Sequence, residues 1–229
     1  MLVFLLMSIV LWGALYLGRY KHFIALAALL PLLIWFRLLK IFLVPEFNIQ
    51  VSLDHYIPFI PVFVIPYILW FLYIAFGCIY TGLKSKEQFF KLLFFLSAGM
   101  SAAYIMYMIF PNAITFRPAA VNNSDIFSKL IRLIYSVDAP TSVCPSVHVI
   151  NAFAVDASLR HTEPFCKKRV LRYLSFTFFI FICLSTVFIK QHSVFDVYLG
   201  ILVCGLLYIP LYKLEAGTPV RFKKSLRRD

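Results

Sequence analysis

Along the chain, long apolar stretches alternate with short clusters of charge. Residues 1–18 form an uncharged apolar run that ends at Gly18-Arg19-Tyr20-Lys21-His22, and a second run continues to about Val44. Further runs cover about 57–80, 88–110, 145–159, 170–189 and 192–212. The strong ones exceed the roughly 18 apolar residues that carry a helix across a bilayer and are too long for barrel strands. The pattern predicts an all-α fold, a polytopic transmembrane helical bundle of six to seven spans. The first run decides between six and seven: it has no basic segment ahead of its apolar core, so it reads as a retained span and not a cleaved signal, yet it is short enough to lie flat. Pro58, Pro61 and Pro66 permit bends at the start of the third run, and Pro145 suits the first turn of the fifth.

Two connections break the pattern. From Pro45 to Tyr56, apolar Phe47, Ile49, Val51 and Leu53 alternate with Asn48, Gln50, Ser52 and Asp54, a period of two that predicts an extended or interfacial segment. In the long connection 111–144, Asp125, Ser128, Lys129, Arg132 and Ser136 share one helical face, and Ile126, Phe127, Leu130, Ile131 and Ile134 share the other. That predicts a helix lying in the membrane interface.

Composition agrees with the hydropathy reading. At 62% hydrophobic and 14% charged residues, the chain is too apolar for a soluble domain. Spans and short connections take up the 229 residues, so the expectation is a single integral membrane domain over 1–229 with its catalytic core at about 88–213. The net charge of +12 does not indicate nucleic acid, because the basic residues fall between spans and in the tail and form no stripe interleaved with aromatics. Sixteen of the Lys and Arg residues lie near 18–22, 82–91, 160–172 and the tail from Lys213, whereas Arg37, Lys40, Arg117, Lys129, Arg132 and Lys190 fall on the other side. The positive-inside rule puts the first group and the C-terminus in the cytoplasm. The segments 45–56, 111–144 and 189–192 then share the extracytoplasmic face, expected to be that of the plasma membrane. The cysteines Cys78, Cys144, Cys166, Cys183 and Cys204 are odd in number and mostly within spans, so they read as packing residues and not as a disulfide framework or metal knuckle.

The outer face carries a set of groups that the apolar context makes expensive. In Ile189-Lys-Gln-His-Ser-Val-Phe-Asp196, a helix starting near His192 puts Asp196 on the same face as the imidazole. Pro145-Ser-Val-His148 begins the fifth run and Arg117-Pro118 lies in the long loop. Two histidines, cations and an orienting carboxylate suit metal-free phosphoryl transfer. His192 would be the nucleophile, Asp196 would hold its other ring nitrogen, and His148 would protonate the leaving alkoxide. Arg117, Lys190, Ser146 and the free amides at the start of the fifth span would cradle the phosphate. Each residue also has a plainer role: Lys190 and His192 as interfacial side chains, Ser146 as a helix cap, His148 as a hydrogen-bonded interior histidine, Arg117 as a solvated or headgroup-bound cation.

Arg117-Pro118, Pro-Ser-Val-His at 145–148 and His-Ser-Val-Phe-Asp at 192–196 resemble the three signature segments of the type-2 phosphatidic acid phosphatase superfamily, KxxxxxxRP, PSGH and SRxxxxxHxxxD. The resemblance covers about Phe110 to Gly200 and implies a lipid phosphate substrate, a phosphohistidine on His192 and no cofactor. The chain departs from the family pattern at Phe110, Val147 and Thr186, which stand where the family has lysine, glycine and arginine, while Ser185 is kept. In these losses, in Asp138-Ala-Pro-Thr and in the stretch Asp54 to Pro66, it is similar to the branch containing inositol phosphorylceramide and sphingomyelin synthases. Asp138 and Asp54 therefore become candidates for substrate or site geometry, beside plain roles as loop cap and turn residue. The leading expectation is a phosphatase acting on a lipid phosphate or diphosphate at the outer face. The alternatives are a lipid headgroup phosphotransferase using the same site, and a non-catalytic phospholipid-binding or transport protein.

Overall fold

The structure, a computed structural model, describes residues 18, 20–118, 121 and 125–214. The first apolar run and the basic tail beyond Leu214 lie outside the described residues. Helix α1 spans Lys21–Phe42, as 3-10 helix over Lys21–Ala28 and α-helix from Leu29. A two-residue strand β1, Phe47–Asn48, and one helical turn α2, Leu53–Tyr56, follow. Helix α3 is Val64–Lys84, preceded by a 3-10 turn at Pro61–Phe63, and α4 is Lys86–Ile109. After strand β2, Asn112–Ala113, come α5 (Ile126–Val137), α6 (Val147–Arg160), α7 (Arg169–Phe188) and α8 (Val194–Tyr208), the last extended by a π-helical turn to Leu214. Among the described residues five helices, α1, α3, α4, α7 and α8 with their extensions, are long and apolar enough to cross a membrane. The protein is an all-α integral membrane protein.

Helix α6 is the exception in length and the centre of the packing. Its 14 residues reach about 21 Å at ~1.5 Å per residue, short of the roughly 30 Å hydrocarbon core. It touches α3, α4, α7 and α8, and ten of its residues, Val149 to Ala152 and Ala154 to Leu159, are buried. Close approach explains this arrangement. A Cβ on Gly77 of α3 would lie 2.6 Å from Val155 Cγ1, and one on Gly99 of α4 would collide with Ile150. Small residues at a contact let helix backbones come together where lipid gives no hydrophobic push.

The sequence-predicted connections meet as expected at their ends, with differences in detail. The segment around 47 pairs with the long loop through the parallel β1–β2 contact, Phe47 with Asn112 and Asn48 with Ala113. Buried Asn112 then accepts from the amides of Val143 and Cys144 at 2.9 and 3.0 Å through Oδ1, and donates to the Phe110 and Cys144 carbonyls through Nδ2. This fixes the chain just ahead of α6. The third run becomes helical only at Pro61, because 57–60 stay non-helical, with Ile60 N–H bonded to the Phe188 carbonyl at 3.1 Å. Pro145 is not in the first turn: α6 starts at Val147, with Ser146 at its N-cap position. The amphipathic helix forms as α5, docked on α3 near Val64, Tyr67 and Ile189. Its faces differ from the expectation at two residues. Ser128 is buried, its hydroxyl donating to the N-cap carboxylate of Asp125 at 2.7 Å, while Ile126 is exposed.

At the opposite end, the charge-bearing turns lie together. His22 Nε2 is 2.8 Å from the Gly82 carbonyl, Tyr80 donates its hydroxyl to Glu163 O at 3.0 Å, and Tyr212 stacks on His161 with centroids 4.5 Å apart.

Candidate active site

Three loops build the site between the N-terminal ends of α6 and α8. The α7–α8 loop is tightly folded: the amides of Gln191 and His192 both donate to the Thr186 carbonyl, at 2.9 and 3.0 Å, and Lys190 takes a positive φ of 53°. Ser193 caps α8 in a capping box, its hydroxyl accepting from Phe195 N–H while its own amide donates to Asp196 Oδ2 at 2.9 Å. That box orients Asp196, whose side chain is fully buried, so that Oδ2 also lies 3.2 Å from His192 Nδ1. A proton on Nδ1 directed at the carboxylate leaves the Nε2 lone pair pointing away from it. His192 Nε2 lies 3.3 Å from Nδ1 of His148, in the first turn of α6. The His148 ring is flanked by Tyr67 and Trp70, with centroids 4.6 and 4.2 Å away, and Trp70 donates to the His148 carbonyl at 3.1 Å. Thus His192, His148 and Asp196, up to 48 residues apart in sequence, form one line of contacts.

The remaining candidates separate into near and supporting positions. Ser146 donates its amide to the Asp196 carbonyl at 3.1 Å, and its buried hydroxyl has no partner, so it is not the side-chain cap that its position suggested. Arg117 donates to the Asp138 carbonyl at 2.9 Å and to Gln191 Oε1, with its guanidinium over the Tyr135 ring at 4.5 Å. Asp54 is a structural residue here. It is 1% exposed, accepts from Ser193 Oγ and Val51 N–H through Oδ2, and accepts from Val194 N–H through Oδ1. Lys190 turns away from the histidines: its ammonium donates to the carbonyls of Asp54 and Ile57 at 2.8 and 2.6 Å, and burial pushes its pKa down. Asp138 faces an apolar cavity of about 390 Å³ that ends at His148, Gln191 and His192. Burial would raise its pKa, but Lys40 and the two histidines outweigh that and hold it below the usual carboxylate range.

Two residues escaped the sequence reading. Lys40, near the end of α1, bonds Asp138 Oδ1 at 2.9 Å and the carbonyls of Ala139 and Thr141. Its signal was a lysine inside an apolar run, three residues after Arg37 and on the same face. Gln191 accepts from Arg117 and directly precedes His192 in the chain, yet carries no charge, so only its polarity could have marked it. Four buried polar atoms around the site lack a hydrogen-bond partner: Ser146 Oγ, Arg117 Nε, Gln191 Nε2 and Asp196 Oδ1. The first three can donate, which is the complement of an oxyanion. Among the described residues, no group of three or more His, Cys, Asp or Glu side chains is arranged to hold a metal ion. Comparison with known proteins found no matching family model, no matching curated protein and no matching solved structure.

Proposed function

We propose that the protein is a metal-independent membrane phosphohydrolase that removes phosphate from a lipid phosphate or lipid diphosphate, as a relative of the type-2 phosphatidic acid phosphatases. The observation that carries this reading is the line His148–His192–Asp196, with His192 Nε2 free of the carboxylate and facing a second imidazole. In the first step the Nε2 lone pair forms a bond to phosphorus as the bond from phosphorus to the lipid oxygen breaks, and the departing alkoxide takes a proton from His148. Asp196 stabilises the positive charge that His192 acquires. Water then attacks the phosphohistidine, the N–P bond breaks, and His148 takes the proton of the water. The products are a lipid alcohol and inorganic phosphate. The unpartnered donors on Ser146, Arg117 and Gln191 support the reading, because phosphate oxygens are acceptors that each of them lacks.

A second use of the same intermediate is favoured by one observation. Asp138 brings a carboxylate to the cavity beside the histidines, where it repels a second anion but accepts hydrogen bonds from an alcohol. A lipid or polyol hydroxyl replacing water would make the protein a headgroup phosphotransferase. For topology the proposal is that α6 also crosses, beside the five long apolar helices, with the basic turns in the cytoplasm and the histidines on the extracytoplasmic side of the plasma membrane. The test is phosphate release by purified protein from a panel of lipid phosphates, without divalent ions, beside His192→Ala and His148→Ala. Loss of about 10³-fold or more in both variants is expected. Undiminished release by His192→Ala would sink the mechanism, and no release together with phosphodiester formation on an added acceptor would replace hydrolysis by transfer.

A further inference from the structure

The apolar cavity continues far from the histidines. Helices α1 and α3 each pack on α4 and meet one another at His22, Phe23 and Gly82, and the cavity lies between them above that contact. Its walls are Leu29 and Leu33 of α1 and Ile74, Ala75 and Cys78 of α3, with Met100 of α4 behind. It is closed at both ends. At the outer end Lys40 is tied to Asp138, Ala139 and Thr141. At the inner end His22 bonds the Gly82 carbonyl, and the Phe23 ring covers Gly82. The charged groups and the histidines sit at one end, where His148, His192 and Gln191 meet Asp138, Lys40 and Arg37, and Asn151 lines the cavity one turn below His148.

We propose that this slot is a binding subsite for one hydrocarbon chain of the substrate, admitted sideways from the bilayer between α1 and α3, and that its depth sets the chain length the enzyme prefers. The inference rests on the phosphohydrolase reading for the identity of the headgroup. An apolar slot opening on lipid and ending at a cluster of oxyanion donors fits an amphiphile with a single tail and a phosphate head. From Lys40 to Leu26 the slot follows 14 residues of α1, about 21 Å at ~1.5 Å per residue, against roughly 15 Å for half of a ~30 Å hydrocarbon core. If a methylene occupies about the ~30 Å³ of a water molecule, the 390 Å³ cavity holds roughly thirteen carbons. Ala75 lies five residues below Trp70 on α3, about 7.5 Å deeper than the ring beside His148. A large side chain there shortens the slot without touching the histidines.

The experiment combines turnover and labelling in mixed micelles at fixed substrate mole fraction. Hexyl, decyl, dodecyl, tetradecyl and octadecyl phosphates are compared on the full chain, on Ala75→Trp and on Leu29→Ala. The unaltered protein should show an optimum near dodecyl to tetradecyl. Ala75→Trp should lose about tenfold or more in kcat/KM for tetradecyl phosphate while keeping hexyl phosphate within about twofold, and Leu29→Ala should move the optimum to longer chains. In parallel, an alkyl phosphate with a terminal diazirine is photolysed and its adducts mapped. Adducts on Leu29, Leu33, Ile74 or Cys78 that disappear in Ala75→Trp support the slot. Adducts confined to the lipid-facing Ile34, Leu38, Leu72 and Phe76 would overturn it, as would turnover indifferent to length in all three proteins. Labelling needs no turnover, so slot adducts without phosphate release would refute the hydrolytic reading and leave the subsite standing.

Discussion

Removing the carboxylate of Asp54 should loosen the site without touching it. The side chain is 1% exposed and accepts three hydrogen bonds, from Ser193 Oγ at 2.7 Å and from the amides of Val51 and Val194 at 2.9 Å each. Bonds to a charged acceptor contribute about 1.5–3 kcal/mol apiece, so simple addition gives roughly 4.5–9 kcal/mol. The true loss is smaller, because the loop keeps the two amide bonds to Thr186 O and the Tyr135 hydroxyl bond to Ile189 O at 2.6 Å. We expect Asp54→Ala to destabilise the protein by about 3–5 kcal/mol. For a chain of this size that corresponds to about 6–20 °C in Tm in detergent. Asp54→Asn keeps the Val194 bond and lets the serine hydroxyl turn, but sets an amide against the Val51 N–H, so its loss should be about half as large. Because Ser193 and Val194 position the turn between His192 and Asp196, a shift of about 1 Å there should lower kcat by about 10²-fold, with KM changed far less. The assay is thermal unfolding followed by phosphate release at saturating substrate. An Asp54→Ala protein that melts with the unaltered one and turns over at its rate would refute the assignment of this residue as the anchor of the loop.

Asp196→Asn should keep the fold and lower phosphate release by about 10²- to 10⁴-fold, since the amide no longer fixes the His192 proton; full activity would remove Asp196 from the mechanism. Gln191→Leu removes the hydrogen bond that holds Arg117 beside the histidines and should raise KM for phosphate-bearing substrates about tenfold or more, read from initial rates, whereas an unchanged KM would assign the glutamine to packing. The Lys40–Asp138 pair, with side chains 8% and 32% exposed, should contribute roughly 1–3 kcal/mol. Because the pKa of Asp138 is lowered on folding, that contribution is present above the ordinary carboxylate pKa of about 3.9 and is lost as pH falls through the lower folded value. The Tm gap between the unaltered protein and Asp138→Asn should therefore be flat from neutrality to about pH 4 and close below it. Gly77→Leu should prevent the α3–α6 contact and abolish the monodisperse protein on gel filtration, where Gly77→Ala is only partly disruptive.

Legibility of the sequence followed the physics of each signal. Spans were readable because a run such as 64–84 must be apolar to face lipid, and the pairing of His192 with Asp196 was readable because four residues make one helical turn. The helix boundaries drifted where local bonds decide them: the loop 57–60 is held by Phe188 O, and Ser128 is buried by its neighbour Asp125. Neither partner is visible from periodicity. Lys190 was misjudged for a related reason. Its place beside His192 suggested a phosphate cation, but the positive φ at that residue aims the ammonium at the carbonyls of Asp54 and Ile57. Lys40 and Gln191 belong to the site through tertiary contacts alone, across 98 residues to Asp138 and 74 to Arg117.

The shortness and near-complete enclosure of α6 make its polar residues costly on their own. Asn151, Asp156 and Ser158 would weigh against its insertion as a lone segment, an aspartate near a helix centre costing roughly 2.5–3.5 kcal/mol. Within the bundle Asp156 pairs with Arg160 of its own helix and accepts from Ser175 of α7 at 2.6 Å, so the following span adds the second partner that offsets the cost. In the folded protein α7 completes the burial of α6, and His148 meets His192 only through the loop that follows α7. A chain that ended before α8 would hold His148 and the wall of the cavity but lack Asp196, and by the proposed mechanism it would not release phosphate.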